Sequence, residues 1–343
     1  MLQPNPNDYC QVPTTEPPRL LVVIDTEEEF DWSARFSRHN TSVQAMRWIG
    51  RVQDIFDAYH ITPVYVIDYP VASQPDGYRP LQEIHTEGRC LIGAHLHPWV
   101  NPPFVEAVNA YNSFSGNLPG TLEATKLRIL SDTIAERFGE QPIIYKAGRY
   151  GVGSRTAEIL EEEGYEVDLS ICPHMDFTTE GGPDFTHHSV RPYWFGKRRR
   201  LLELPLTVGF TGMCRRWGDT LHRIASRVAL QRLHAVGLLA RLRCVNRVWL
   251  SPEGYRLEEN IALLRALYAD GVRIFSCAFH SPSVDPGHTP YVTSQRDLDH
   301  FLSHCRKLFD FFMGELGGCP TTPLELKAQL LGSLTPRRVL ESV

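Results

Sequence analysis

The chain has 343 residues, 42% of them hydrophobic, and is long enough for one large α/β domain or two smaller ones. Its formal net charge of −5 disfavours a general nucleic-acid binder, which normally carries a basic excess. No stretch approaches the roughly 18 apolar residues of a membrane span, and the first residues lack the basic start and apolar core of a signal peptide. We therefore expect a cytoplasmic protein, whose eight cysteines lack CxxC spacing and are reduced.

Strands and helices alternate along the chain after a Pro-rich leader, residues 1–18, which we expect to be disordered or extended. Apolar runs predict seven strands, at residues 19–25, 62–68, 89–95, 142–147, 166–172, 201–207 and 272–280. Apolar residues at three-to-four spacing predict helices at 42–60, 81–87, 121–138, 154–164, 257–267 and 297–312. This alternation predicts a parallel sheet, and about seven units fit a closed barrel better than an open doubly wound sheet.

A basic helical pattern interrupts this order between Asp219 and Val245. It carries arginines among leucines and valines, namely Arg223, Arg227, Arg232, Arg241 and Arg243. We interpret it as part of a helical insertion near residues 215–247 whose polar face is solvated. A weak contact with an anionic membrane surface, or a lid over the site, is the less favoured interpretation.

Polar side chains follow the predicted strands at the points where those strands end. Asp25, His95, Lys146 and His280 each stand where an apolar run gives way to a loop. In a parallel barrel these points meet at the carboxyl-end face, where active sites are built. No GxGxxG or Walker pattern follows a strand, so a nucleotide fold lacks its usual signature.

Two short segments combine imidazoles and carboxylates at alternating positions. His95 and His97 in the segment IGAHLHPW project to the same side of an extended chain, as do Asp25 and Glu27 in IDTEEEFDW. Divalent metals bind such mixtures, so this pattern predicts a metal site. The alternative is that one histidine caps a turn and the other is an ordinary hydrogen-bonded polar group.

Other polar residues near these strand ends also have an interpretation in which they play no part in a site. Glu28, Glu29 and Asp31 could form a solvated acidic loop, and Lys146 could be a surface charge.

In this order and spacing the segments resemble the polysaccharide deacetylase superfamily, carbohydrate esterase family 4, of the NodB-homology type. The matching positions are Asp25, His95, the segment KAGRYG at 146–151, and His280 in FHSPS. The resemblance covers roughly residues 20–312. It implies a single α/β domain with a distorted (β/α)7 barrel of parallel strands at 19–318, followed by a C-terminal tail at 319–343.

The resemblance also implies roles for the polar residues. Asp25 would be the general base and His280 the general acid of amide hydrolysis. A divalent metal, with zinc expected, would be bound by Glu27, His95 and His97. Either Lys146 or Arg149 would orient Asp25 by charge pairing.

The sequence departs from the family pattern at several positions. The aspartate usually found next to the first one is missing, so Glu27 is the candidate carboxylate ligand. Trp99 stands where the second histidine is usual, so His97 must substitute for it. Lys146 replaces the usual arginine, and the turn after it is one residue longer, which makes Arg149 a candidate replacement.

The favoured function is a metal-dependent hydrolase that removes an acetyl or similar acyl group from an N-acylated sugar or glycan precursor. A metal-independent hydrolase of non-peptide C–N bonds in small amides is the second interpretation, and metal content separates the two. A glycosidase that uses Asp25 and Glu203 is a third. A non-catalytic carbohydrate-binding barrel would bind sugar without turnover.

Overall fold

A computed structural model of the chain describes residues 3–225, 237, 241 and 244–334. The strands are β1 (Arg19–Thr26), β2 (Val64–Ile67), β3 (Leu91–Leu96), β4 (Ile144–Ala147), β5 (Val167–Asp168), β6 (Tyr193–Phe195), β7 (Leu201–Glu203), β8 (Val208–Thr211), β9 (Asn246–Trp249), β10 (Ile274–His280) and β11 (Cys319–Pro320). The α-helices are α1 (Gly50–Ala58), α2 (Tyr69–Ser73), α3 (Pro75–Thr86), α4 (Gly120–Phe138), α5 (Thr156–Glu162), α6 (Gly218–Ala225), α7 (Leu257–Ala269), α8 (Gln295–Asp310) and α9 (Pro323–Leu334). None of the helices in these described ranges is both long and apolar enough to cross a membrane.

Seven strands lie side by side in the order β10-β1-β2-β3-β4-β5-β7, and every neighbouring pair is parallel. β6 pairs antiparallel with β7, and β11 pairs parallel with β1. Residues 20–24 of β1 are each at most 1% exposed, as expected for a parallel strand covered on both faces. The predicted α/β fold with a curled, distorted barrel of parallel strands is confirmed.

Irregular backbone fills the gap between β7 and β10, which share no ladder in the described part of the chain. The Thr207 N–H donates to the Ser276 carbonyl oxygen (3.2 Å), and the Leu250 N–H donates to the Thr207 carbonyl oxygen (2.8 Å). Ala278 of β10 in turn donates to the Leu250 carbonyl oxygen (3.2 Å). This bonding brings the loop after Leu250 to the carboxyl end of β10.

A second, two-stranded sheet is formed by strands on either side of the predicted Arg-rich insertion. β8 and β9 pair antiparallel, with Thr211 opposite Asn246. The predicted helix is observed in α6 as far as Ala225. Arg227, Arg232 and Arg243 lie outside the described residues.

Both ends of the described chain contact the barrel. The Cys10 N–H donates to the Pro192 carbonyl oxygen (2.9 Å), and the Cys10 side chain is buried, so part of the predicted leader is packed. In the predicted tail, β11 adds to β1, and Leu326 and Leu330 of α9 are buried. Burial of these apolar side chains ties both segments to the core.

Candidate active site

The carboxyl ends of neighbouring strands bring the predicted site residues to one end of the barrel. Asp25 of β1 lies in register with His280 of β10. His95 of β3 lies in register with Lys146 of β4. Because parallel strands end at the same face, residues from distant parts of the chain meet there.

Asp25 is ion-paired with Lys146 inside the barrel. The Lys146 Nζ donates to both carboxylate oxygens of Asp25, at 2.5 and 2.7 Å. Burial alone would raise the pKa of Asp25, but the positive charges of Lys146 and His280 and the hydrogen bonds from Lys146 outweigh it and lower the pKa below its ordinary value. Asp25 is therefore ionised at neutral pH. Lys146 is only 2% exposed, which contradicts its interpretation as a surface charge.

His280 is oriented by Glu253, which sequence reasoning missed. Nδ1 of His280 lies 2.7 Å from Oε2 of Glu253, and the His280 backbone N–H donates to Oε1 (3.2 Å). The other ring nitrogen, Nε2, lies 3.9 Å from Oδ2 of Asp25. Burial would lower the pKa of His280, but the negative charges of Glu253 and Glu27 raise it to about 9. His280 is therefore protonated at neutral pH.

Glu27, His95 and His97 converge beside this pair, and all three are at most 4% exposed. Nε2 of His95 lies 3.6 Å from Oε2 of Glu27, and Nε2 of His97 lies 3.4 Å from the same oxygen. One ligand atom from each residue falls within 4.8 Å of the others. The predicted metal ligands are thus brought together.

The protonation states of this cluster fit a divalent cation. Burial lowers the pKa of His97 to about 4 and that of His95 well below its usual value, so both rings are neutral. Nδ1 of His95 lies 2.9 Å from the Lys146 carbonyl oxygen, which can only accept, so Nε2 keeps a free lone pair toward Glu27. Burial raises the pKa of Glu27 well above its ordinary value, and a bound cation would compensate its negative charge. Two imidazoles and one carboxylate are a common ligand set for zinc and similar metals.

His97 is held in turn by a buried acidic pair and a tryptophan. Nδ1 of His97 lies 2.8 Å from Oε2 of Glu28, and the Trp99 indole N–H donates to Oε1 of Glu28 (2.7 Å). The Trp99 ring also stacks on the imidazole, with centroids 4.3 Å apart. Trp99, at the position where the resemblance predicts a second histidine, therefore supports His97 through Glu28.

Glu28 and Asp68 are both completely buried. The Glu28 backbone N–H donates to Oδ2 of Asp68 (2.7 Å). Burial raises the pKa of Glu28 to about 7, and burial together with the neighbouring Glu28 carboxyl group raises the pKa of Asp68 well above its ordinary value. The two carboxyl groups therefore do not both carry a negative charge at neutral pH. Of the predicted acidic loop, Glu28 is thus not solvated, whereas Asp31 is exposed.

The turn after β4 carries Arg149 away from Asp25. Arg149 donates to Ser113 Oγ (2.6 Å) and is ion-paired with Glu180, and its guanidinium lies 4.2 Å from the Phe114 ring centroid. The expectation that Arg149 replaces Lys146 as the partner of Asp25 is wrong. The physical reason is the backbone: Arg149 has a φ of 55°, and this left-handed turn directs its side chain to the rim.

Gly148, in the same turn, lies directly against His97. A Cβ at this position would lie 2.3 Å from Cδ2 of His97 and 2.5 Å from the Leu96 carbonyl oxygen. Only glycine allows this approach.

Two adjoining cavities open at this end of the barrel. The first, of about 370 Å³, is lined by the three candidate metal ligands and by aromatic rings, among them Phe30, Trp32 and Phe177; we call it the metal lobe. The second, of about 260 Å³, is lined by Leu206, Ser251, Glu253, Tyr255, Ala278 and Phe279; we call it the Tyr255 lobe. Asp25, Tyr150, Trp249, His280 and Tyr291 line both lobes, so the lobes meet at the Asp25–His280 pair.

Glu203 does not share this cavity. Its side chain is buried beside Asp168 at the end of β7 and accepts a hydrogen bond from the Ile171 N–H (3.1 Å). It lines neither lobe. The glycosidase interpretation, which needs Asp25 and Glu203 to flank one bond, is therefore not supported.

Solved structures of low sequence identity have the same fold. A Mycobacterium smegmatis protein assigned as a polysaccharide deacetylase superposes with a TM-score of 0.54 at 13% identity, over 98% of this chain and 99% of its own. The chain therefore shares the fold of this protein. The Puue allantoinase gives a TM-score of 0.52 at 13% identity, over 97% of this chain and 99% of its own. The 4-α-glucanotransferase of Thermococcus litoralis gives 0.52 at 12% identity, over 94% of this chain but only 41% of its own.

No protein-family model and no curated sequence matches the chain. At identities of 12–13% these structures show a shared fold. The fold implied by the resemblance of the strand-end motifs is therefore confirmed. The structural neighbours therefore agree with the barrel that brings Asp25, His95, Lys146 and His280 to one face.

Three supporting acids escaped sequence reasoning for different reasons. Glu253 lies in the loop after β9, where no periodicity relates it to His280. Glu28 lies between Glu27 and Glu29, and in an extended chain its side chain points to the opposite side from theirs. The alternating pattern therefore selected its two neighbours as site candidates and left Glu28 out. Asp68 could have been predicted, because it is a further carboxylate directly after a buried strand, β2.

Proposed function

We propose that the protein is a metal-dependent hydrolase that removes an acetyl or similar acyl group from the nitrogen of an amino sugar or glycan precursor. The observation that carries this proposal is the meeting of an ionised carboxylate, Asp25, with a protonated imidazole, His280, at the junction of the two lobes. Such a pair suits the transfer of one proton from water and one proton to a leaving amine.

In the proposed reaction, water adds to the amide carbonyl carbon and the C–N bond breaks, which yields a carboxylic acid and a free amine. Asp25 accepts the proton of the attacking water, and Lys146 keeps that carboxylate ionised until it does so. His280 donates its Nε2 proton to the departing nitrogen, while Glu253 holds the ring in place through Nδ1. The aromatic side chains of the metal lobe offer flat apolar surfaces to a sugar ring.

Glu27, His95 and His97 would hold the metal, for which zinc is the leading candidate. When bound there, the ion would polarise the amide carbonyl as a Lewis acid. The positions of Nδ1 of His95 and His97 support this assignment, because second partners of this kind orient metal-binding imidazoles.

Elemental analysis of purified protein, together with acyl release from a panel of N-acylated sugars, tests the proposal. We expect a near-stoichiometric divalent ion, lost in the His95→Ala, His97→Ala double variant and kept in the His187→Ala control, which changes an exposed histidine. Full metal occupancy in the double variant would overturn the metal assignment.

Substitution of the two proton-transfer residues gives an independent test. His280→Ala and Asp25→Asn should each lower turnover by roughly 10²–10⁴-fold. Metal should stay bound in His280→Ala, because this residue is not an assigned ligand. Turnover within a few fold of the parent in both variants, on a verified substrate, would overturn the assignment of acid and base.

A metal-independent hydrolase of C–N bonds in small amides is the second candidate. The likeness to the Puue allantoinase, which extends over nearly the whole of both chains, favours a small substrate of this kind but does not bear on the metal. Chelation separates the two candidates: activity that survives complete metal removal supports the second. Sugar binding without any turnover would point instead to a carbohydrate-binding barrel.

A further inference from the structure

Two cysteine side chains meet just beyond the end of the β8–β9 pair. The Cys214 N–H donates to the Cys244 carbonyl oxygen (2.9 Å), next to the paired residues Thr211 and Asn246. The two thiols are also hydrogen-bonded to each other, and this contact raises the pKa of Cys244 above its ordinary value. Cys214 and Cys244 are therefore neighbours through both their backbones and their side chains.

Accessibility distinguishes this pair from most of the other cysteines. Both thiols belong to partly exposed residues, whereas five of the eight cysteines are buried, namely Cys10, Cys90, Cys172, Cys277 and Cys305. Cys319 is also partly exposed, but its sulfur is bonded to the Pro18 carbonyl oxygen (3.9 Å). A small reagent in solution can therefore reach Cys214 and Cys244 together.

The backbone at this position suits a covalent link. Residues that face each other across an antiparallel pair have Cα atoms about 4.5–5.5 Å apart. Disulfides join residues whose Cα atoms are about 4.4–6.8 Å apart. A bridge between Cys214 and Cys244 therefore requires rotation of the two side chains and no displacement of the strands.

The segment 215–243, which leaves the β8–β9 pair between the two cysteines, is the part of the chain that such a bridge would fasten. In its described beginning, Trp217 and Ile224 are 68% and 43% exposed, so these side chains bury little apolar surface. Arg215 is ion-paired with Asp270, and exposed pairs contribute little stability. A covalent link at its two ends would add a constraint that the observed packing of this beginning does not supply.

We propose that Cys214 and Cys244 form a reversible disulfide, with glutathione disulfide or a similar small disulfide as the oxidant, and that this bridge fastens the two ends of the segment 215–243. The site is separate from the proposed hydrolytic centre, because neither cysteine lines either lobe.

The reaction proceeds by two thiol–disulfide exchanges. One protein thiolate attacks a sulfur of glutathione disulfide, whose S–S bond breaks, and releases one glutathione. The second protein thiolate then attacks the protein sulfur of this mixed disulfide and releases the second glutathione. In sum, two protein thiols lose two electrons and two protons, and one glutathione disulfide gains them to become two glutathione thiols.

Peptide mapping of the full-length protein provides the first test. Reduced, folded protein is incubated with glutathione disulfide at pH 8, the remaining thiols are alkylated, and the denatured chain is digested with trypsin. Cleavage after arginine places Cys214 in the peptide 201–215 and Cys244 in the peptide 244–247. Because the second exchange is intramolecular, we expect the linked pair of peptides to exceed the glutathione adducts of either peptide at least tenfold. A majority of alkylated peptides or glutathione adducts would overturn the proposal.

Variants and reduction control this result. Cys319→Ser removes the other partly exposed thiol and should keep the parent yield of the bridge. Cys214→Ser should leave Cys244 alkylated or joined to glutathione. An excess of reduced glutathione should restore both thiols of the parent, and a bridge that resists it contradicts reversibility. A link from Cys319 to either cysteine would show that the observed contact does not select the partners.

Thermal unfolding tests the fastening of the segment. Closure of a loop of roughly 30 residues stabilises a protein chiefly by restricting its unfolded chain, so oxidation should raise the midpoint of the parent by about 3 °C or more. The same treatment should leave the midpoint of Cys214→Ser unchanged. An unchanged midpoint in parent protein that carries the bridge would overturn its role as a fastening.

Discussion

Glu253 and His280 are joined by a hydrogen bond of 2.7 Å between a carboxylate oxygen and Nδ1, although 27 residues separate them in the chain. Ser283 donates to the other carboxylate oxygen at 2.5 Å, so both oxygens of Glu253 are held. This contact fixes which ring nitrogen of His280 faces Asp25. It also supplies the largest charge effect that keeps the imidazole protonated.

Glu253→Gln should move the alkaline limb of the pH profile to lower pH. His280 must be protonated to donate, so activity is present below its pKa and is lost as the pH rises through about 9. Without the negative charge of Glu253, the burial effect, which lowers the pKa of His280, gains weight. We expect a shift of at least about one pH unit in kcat/KM. Glu258→Gln, an exposed position on α7, should leave the limb in place, and an unmoved limb in Glu253→Gln would refute the coupling.

Lys146→Met should raise the pKa of Asp25 and destabilise the fold. A depressed carboxylate pKa contributes stability at pH values above the unfolded-state pKa, and this contribution is lost as the pH falls through the folded-state pKa. Removal of one partner of a buried pair costs about 3–5 kcal/mol. Denaturant unfolding at neutral pH should detect this loss, and the acid limb of kcat/KM should move to higher pH. Lys146→Arg keeps the charge and should retain most of the stability; equal losses in both variants would show that charge is not the reason.

Glu28→Gln and Trp99→Phe should weaken metal binding without removing a ligand. Second-layer partners of metal-bound histidines typically contribute about 10–100-fold in affinity. Glutamine keeps the shape of Glu28 but not its charge, and phenylalanine keeps a ring next to His97 but loses the indole donor. Competition with a chelator measures the affinity, and Trp48→Phe, at a partly exposed tryptophan, is the control. Affinities within twofold of the parent would exclude this role.

Gly148→Ala should disturb His97 directly, since the new Cβ would come within 2.3 Å of the imidazole. Overpacking of this kind costs about 1–3 kcal/mol and should displace the ring. Thermal unfolding and metal content measure the two effects. At Gly50 a Cβ would meet nothing within 4 Å, so Gly50→Ala should leave both quantities near the parent values.

The order of elements and the strand-end residues could be predicted from the sequence, because they depend on local patterns. The apolar run before Asp25 produces a strand buried on both faces, and the strand that ends at His280 is read in the same way. Once these strands are parallel neighbours, their ends must meet. The alternation of His95 and His97 likewise placed both imidazoles on one side of β3 without any knowledge of the fold.

Tertiary structure alone decided which groups support these residues. Glu253 reaches His280 because irregular backbone fills the gap between β7 and β10, and no sequence period encodes that path. The φ of Arg149 turned its side chain to the rim and left Lys146 to pair with Asp25. Residue type and spacing report what a side chain can do, whereas burial, backbone direction and the neighbours brought by distant segments determine its charge and its partners.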